Sequence, residues 1–375
     1  MPPVLALHLV TFFFFLAYGL ALPVLPLYLK ALGLGSQAIG LAVALMPLAG
    51  LLLRPWGGHA ADAWSRKKPA AIGLLASALA GLCYLGRLPL VLVGRLFQGA
   101  GMALFAPSTL AHTSDLAPRE ALGRVMGTRN LLIGLGVMLG TALGGFLVDR
   151  LGPRPVFLLI LLVQLPWLPL LLSLPEGLEA PAGGRWWEGF LRALAIADVR
   201  AATVANAGFA TVFATLQAFY PIYLVHRGFP ASWVGGFFAY YSLISVFARM
   251  PAGALVDRYD SARVAVYGFA AASAGFFLLW LFPTPWPAFL GGTLMGAGAG
   301  VYLPANIVTV TRATPPGLRG AAFSLFTASW DAGGLVGPPL AGVLVAAAGD
   351  AALFPFAALG ALLTTLAYLA LLPSR

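Results

Sequence analysis

Asp331 and Arg95 are the charged residues that the sequence sets deepest inside long apolar runs, and each could do chemistry there. A carboxylate in a poorly polar interior holds a proton more readily than in water, so Asp331 is a candidate proton carrier. It equally suits a structural carboxylate hydrogen-bonded within its bundle, to Thr327 or Trp330 for example. Arg95 is followed one turn later by Gln98, within Arg95-Leu-Phe-Gln98-Gly99-Ala-Gly101. A guanidinium at such depth costs on the order of 3 kcal/mol even on lenient insertion scales. It should therefore face a wet cavity or a partner, unless it snorkels to the nearer outer surface. Asn206, Gln217, Asn306, Tyr240, Tyr241 and Asn130 complete the candidates for a substrate or proton pathway, and each also suits a helix-to-helix hydrogen bond.

Other chemistries find no residues to carry them. His8, His59, His112 and His226 are scattered without metal-ligand spacing, and the single Cys83 excludes an internal disulfide and a cysteine metal cluster. No phosphate-binding loop and no nucleophile–base arrangement appears, which argues against ATP-driven chemistry and against catalysis by this chain. No cofactor and no metal is expected. The net charge of +10 does not mark a nucleic-acid binder, because the basic residues lie in short loops and form no patch.

The elements that hold these side chains follow from composition. Of 375 residues, 60% are hydrophobic and 9% are charged. A water-soluble fold cannot hide that much apolar surface, whereas a lipid-facing exterior need not. A helix of about 20 apolar residues crosses the hydrocarbon layer with its backbone satisfied internally. About twelve such runs occur: 4–28, 37–58, 69–86, 88–111, 125–148, 155–174, 199–224, 232–256, 262–282, 285–311, 320–347 and 351–372. The opening run lacks a basic start and is long for a signal peptide, so it reads as a retained first span.

Loop charges orient the spans. With the N-terminus inside, 16 of the 22 Lys and Arg residues fall in inner loops and inner helix ends, Arg129 and Arg249 among them. Five are outside, and Arg95 is within a span. The opposite orientation breaks the positive-inside rule. The longest break, 175–198, separates spans 1–174 from 199–375. Within it Trp186, Trp187, Phe190, Leu191 and Leu194 recur at helical spacing, which suits a short amphipathic helix on the inner membrane surface or a plain tether with two interfacial tryptophans.

The two halves repeat. Pro26-Leu27-Tyr28-Leu29 matches Pro221-Ile222-Tyr223-Leu224, 195 residues on (221 − 26). Gly58 and Asp62 match Gly253 and Asp257 at the same offset. Gly99-Ala100-Gly101 matches Gly296-Ala297-Gly298, and Gly140 matches Gly337, at an offset of 197. Six spans per repeat is an even number, so both halves run in the same direction, and a substrate site is expected between them near the midplane.

Three motifs sit on this frame. Gly58-His-Ala-Ala-Asp62-Ala-Trp-Ser-Arg66-Lys67-Lys68 lies at the inner end of span 2, and Gly253-Ala-Leu-Val-Asp257-Arg258 is its second copy. Gly58 and Asp62 share a helix face, where the glycine admits a neighbouring helix and the carboxylate, at the negative end of its own helix dipole, needs another partner. Gly136, Gly140 and Gly144 in span 5, and Gly333, Gly337 and Pro338 in span 11, form smooth stripes for close packing. With the arginine segment of span 4, these motifs resemble the signatures of the major facilitator superfamily over nearly the whole chain, and the glycine stripes resemble those of its drug:proton antiporters. Ala63, Ser65 and Thr141 depart from the family pattern, while Pro338 keeps it.

The resemblance implies an all-α membrane protein of two parallel six-helix repeats, in which the loop after span 2 and its second copy govern gating. The expected activity is secondary active transport of small organic molecules by alternating access, with proton-coupled export as the first reading. An uptake or facilitative carrier of sugars or organic acids is the second. A membrane-embedded enzyme is the third, and it would need clustered His, Ser or Asp groups at one depth, which the sequence lacks. The expected partners are a small-molecule substrate and the lipid bilayer, with the proton gradient as driving force. The protein is expected to be a monomer in the cytoplasmic membrane with both termini cytoplasmic.

Overall fold

Apolar segments without a partner strand must satisfy every backbone group within themselves, and every regular element among the described residues is helical. The structure, a computed structural model, describes residues 2–63, 65–118, 121–176, 186–282, 285–315 and 318–372, except for side chains at 55–63, 123, 186, 187, 285 and 320. The helices are α1 (Pro3–Ala31), α2 (Ser36–Ala63), α3 (Lys67–Cys83), α4 (Leu88–Leu116), α5 (Leu122–Leu151), α6 (Pro153–Gln164), α7 (Leu168–Ser173), α8 (Trp186–Ala195), α9 (Ala197–His226), α10 (Ala231–Arg258), α11 (Ser261–Leu281), α12 (Pro285–Ala313), α13 (Arg319–Ala348) and α14 (Leu353–Leu371). Among the described residues, eleven helical stretches are long and apolar enough to cross a membrane. The remaining expected span is α3, whose 17 residues reach about 26 Å. The sixth span is broken into α6, a 3-10 turn over Leu165–Trp167, and α7. Pro166 and Pro169 remove backbone donors there.

Two compact units emerge. One comprises Met1–Leu34, Leu45–Gly184 and Gly228–Ala239; the other comprises Gly35–Ala44, Arg185–Arg227 and Tyr240–Arg375. Thus α2 and α10 are each shared, one end per unit.

In the first unit α5 lies along α1 in the same direction. A Cβ at Gly136 would stand 2.7 Å from the Phe12 carbonyl oxygen, one at Gly140 2.2 Å from that of Leu16, and one at Gly144 2.5 Å from that of Leu20. Each glycine meets a carbonyl one turn further on, so the two backbones touch along a continuous line. In the second unit α13 treats α9 the same way: Gly333 faces the Ala207 oxygen at 2.2 Å and Gly337 that of Thr211 at 2.1 Å. These are the first unit's pairs carried forward by 197 on one helix (333 − 136) and 195 on the other (207 − 12). Gly99 against Met46 and Gly296 against Tyr241 repeat in the same way. The sequence repeat is therefore a repeat of contacts. The turns after α1, α5, α9 and α13 repeat too, each with a glycine at positive φ: Gly33 (85°), Gly152 (76°), Gly228 (83°) and Gly349 (84°).

The helix expected in the 175–198 break is present as α8. It docks on the second unit through small residues: Gly189 lies against Ala321, and Ala193 is fully buried with Val199, Ala202, Ala322 and Phe326. Leu191 and Leu194 stay exposed, at 67% and 39%. Trp186 and Trp187 lie outside the described side chains.

The α1–α5 line yields a stability prediction. Gly140→Ala should lower the unfolding midpoint of the purified protein, with a cost of about 1–3 kcal/mol for forcing the backbones apart. Gly127→Ala on the same helix, where a Cβ meets open space, should leave it unchanged or slightly raised. Equal midpoints for the two variants would contradict the close approach.

Candidate functional site

The loop between α2 and α3 is a basic clasp. Arg66 Nε donates to Asp115 Oδ2 near the end of α4, at 2.9 Å, with both side chains largely buried. Lys67 Nζ reaches the Leu174 carbonyl at 2.8 Å and that of Leu172 at 3.2 Å, where the end of α7 offers unsatisfied oxygens and the negative end of its dipole. The same ammonium lies 3.1 Å from Glu176 Oε1. Ser65 Oγ donates to Glu176 Oε2 at 2.6 Å. That hydroxyl first, and Lys67 with Lys68 after it, hold the Glu176 carboxyl below the usual carboxylate range. His112 Nε2 contacts the Pro175 carbonyl at 3.0 Å. The motif residues Arg66 and Lys67 thereby tie the start of α3 to the ends of α4 and α7 within the first unit. Gly58 and Asp62 lie on α2 among residues whose side chains are outside the description.

The second copy is arranged differently. A Cβ at Gly253 would meet open space, so the close helix approach expected of this glycine is absent. Asp257 and Arg258 are exposed. Arg312, on α12 at the repeat position of Asp115 (312 − 115 = 197), donates through Nη2 to the Val256 carbonyl at 3.2 Å. An arginine capping the end of α10 has replaced the carboxylate of the first copy.

Arg95 is buried, at 7% exposed, and its Nη1 donates to Gln98 Oε1 at 2.7 Å. Tyr84 OH donates to the same oxygen at 2.8 Å. The guanidinium is therefore turned into the unit beside a buried tyrosine, rather than outward to the membrane surface. In the second unit Asn206 Nδ2 crosses from α9 to Ser329 Oγ (2.9 Å) and the Phe326 carbonyl (3.0 Å) on α13. Asn306 Oδ1 accepts from Tyr368 OH at 2.7 Å, and Tyr240 OH lies 2.9 Å from Thr293 Oγ1. These three make the helix-to-helix bonds that were the alternative to substrate contact. The Tyr241 ring stacks near Phe213, with centroids 4.9 Å apart, and Gln217 is half-buried. Asp331 is buried at 7% exposed, twelve residues into α13 (331 − 319). The Thr327 hydroxyl turns back to its own helix, to the carbonyls of Phe323 and Ser324.

Sequence reasoning placed Arg129 and Arg249 at helix ends, and the structure corrects this. Arg129 stands seven residues inside α5 (129 − 122), and Arg249 nine residues before the end of α10 (258 − 249). Both carry a buried Nε without a hydrogen-bond acceptor. Arg95 and Asp331 are thus not the only charges well inside the helices. Span 5 began at 125 in the sequence reading, and a test of depth rather than of span membership would have found Arg129. Asp149 was also missed. At the end of α5 its carboxylate accepts the N–H groups of Ala231 and Ser232 at 2.8 and 2.7 Å, capping α10 where that helix belongs to the first unit.

Comparison with known proteins gives this geometry its family. Residues 7–285 and 232–375 match the profile of the Major Facilitator Superfamily. The MFS-type transporter YhhS of Escherichia coli O157:H7 is 28% identical over 369 residues, covering 92% of this chain and 86% of that protein. The quinolone resistance protein NorA of Staphylococcus aureus is 29% identical over 148 residues, 39% of this chain and 38% of that protein. Among solved structures, a mutant form of the nucleoside transporter NupG superposes with a TM-score of 0.84 at 15% identity, covering 99% of this chain and all of that one. The human organic anion transporter MFSD10 superposes with a TM-score of 0.72 at 20% identity, over 97% of this chain and 98% of that one. A profile match along the whole chain, on a repeat of helix contacts that the glycines themselves reproduce, makes this chain a member of the Major Facilitator Superfamily, a multi-pass membrane transporter of small molecules rather than an enzyme.

Proposed function

We propose that the protein is a proton-coupled secondary transporter that exports small organic molecules by alternating access, working as a monomer in the cytoplasmic membrane with both termini inside. The observation that carries proton coupling is Asp331, a carboxylate buried in the middle of α13 on the glycine-lined helix of the second unit. Export draws support from the likeness of part of the chain to a quinolone resistance protein and from the partly kept antiporter stripe ending in Gly337-Pro338. We read the chain as two bundles, 1–174 and 199–375, joined by 175–198, with substrate held between them.

A transporter must let proton and substrate occupancy each change the balance of its two states. Asp331 does so by ionising when water reaches it and by protonating when it is enclosed. Arg95, in the other half, biases that ionisation or holds a polar or anionic part of the substrate. Asp62 and Asp257, with Arg66 and Arg258, govern the switch rather than touch substrate, and the Arg66–Asp115 pair is the rigid base on which the first copy works.

Four measurements test this. In liposomes, Asp331→Asn should abolish pH-driven transport and retain substrate counterflow; unchanged proton coupling would remove Asp331 from the mechanism. Asp62→Asn should slow turnover with substrate affinity kept, and Arg66→Ala should lower stability by about 3 kcal/mol as it takes the guanidinium from a largely buried Asp115. A collapse of affinity with fast exchange in Asp62→Asn would refute the gating role. With Cys83→Ala as background, a cysteine at Ser65 should react with an impermeant thiol reagent from the cytoplasmic side alone, and labelling from outside would overturn the orientation.

A further inference from the structure

Arg129 is a charge that the fold does not require. It is 5% exposed, on α5, about 10 Å along the axis from that helix's inner end. Its Nη2 donates to Thr109 Oγ1 at 3.1 Å and to the Ala106 carbonyl at 3.3 Å, both neutral groups of α4. Its Nε has no acceptor, and among the described residues no carboxylate pairs with it. Beside it on α1 is His8, also 5% exposed, within electrostatic reach of the guanidinium and against the backbone of Val125. The Nε2 of that ring is buried without a partner as well. Two nitrogen-bearing side chains from different helices therefore lie within electrostatic reach of each other with unfilled hydrogen-bonding capacity, and among the described residues no carboxylate pairs with the guanidinium.

The repeat shows that packing alone does not call for this. The position equivalent to Arg129 is Phe326 (129 + 197), that of His8 is Thr203 (8 + 195), and that of Thr109 is Asn306 (109 + 197). Phe326 sits in an apolar cluster with Val199, Ala202 and Val310. The second unit keeps neutral groups at this corner, Phe326 with Thr203 and Asn306, so the first unit's guanidinium is a charge added to the scaffold.

We propose that Arg129, with Thr109 and His8, forms a binding site for the carboxylate of a small organic molecule. The Nε–H of the guanidinium is unfilled, and Nη2 next to it gives up its longer contact, the one to the Ala106 carbonyl at 3.3 Å, when a carboxylate takes the two donors as a fork; a protonated His8 ring adds a third contact. An anion arriving there supplies the counter-charge that none of the described residues does. This deepens the transport reading and rests on it for one point, that the site is reached from the inner side on the substrate's path.

The test uses the full chain in nanodiscs of phosphatidylcholine, which excludes anionic headgroups, with sodium benzoate and neutral benzamide as probes. Benzoate should raise the unfolding midpoint of the wild type in a saturable way, and benzamide should not. Arg129→Gln should weaken benzoate at least about tenfold, the size of one lost charge-assisted contact, and Arg129→Lys, which keeps charge without the fork, should fall between. Arg129→Phe copies the residue that the second half packs at this corner, and it keeps the test alive if the glutamine variant does not fold. A wild type indifferent to benzoate, or variants that bind it as the wild type does, would overturn the site. Binding is read without transport. A wild type that binds benzoate through Arg129 yet shows no counterflow of any substrate sinks the transport reading alone; active transport with no benzoate binding sinks the site alone.

Discussion

Inside a bilayer the hydrophobic effect no longer draws helices together, because lipid tails are as apolar as leucine. What remains is van der Waals contact, and it is greatest where backbones touch. The line of Gly136, Gly140 and Gly144 against the carbonyls of Phe12, Leu16 and Leu20 supplies that contact in one unit, and Gly333 and Gly337 against Ala207 and Thr211 supply it in the other. The remaining helices of each unit pack around these pairs. A single methyl in the line, 2.2 Å from an oxygen at Gly140, must push two whole helices apart, so these positions have almost no tolerance.

Polar groups then divide by what the helices do with them. Some close helix pairs: Asn206 to Ser329, Tyr368 to Asn306, Tyr84 with Arg95 on Gln98. Others finish helix ends: Lys67 on the carbonyls closing α7, Arg312 on Val256, Asp149 on the first N–H groups of α10. In water each is a minor contribution. At a helix end near a membrane, with few competing waters, the same bonds decide where a helix can stop and what it stops against.

Much of this was legible before any coordinates. The glycine stripes of spans 5 and 11 were read as lines of close packing, and the 195 and 197 offsets matched the halves, because a repeat of packing must repeat its smallest residues. The loop charges and the break at 175–198 were equally plain, and α8 lies where helical spacing put it. The failures share a cause. Hydrophobic runs show that a segment is in the membrane but not how deep each residue is or which way it faces. Arg129 and Arg249 were therefore set at the rim. At Gly253 an added Cβ meets none of the described residues, whereas at Gly296 it meets the Tyr241 carbonyl.

The repeat separates what a transporter's scaffold needs from what its cargo needs. Positions that agree between the halves are those of packing: Gly99 with Gly296, Gly140 with Gly337, Gly33 with Gly228. Positions that disagree are those of charge. Arg95 stands opposite Gly292, Gln98 opposite Met295, Arg129 opposite Phe326, Asp115 opposite Arg312, and Asp331 opposite Gly134, each 197 apart. Two bundles with the same contacts and different charges share a framework but differ in their electrostatics, and a difference between the two halves is what coupling one movement to another requires.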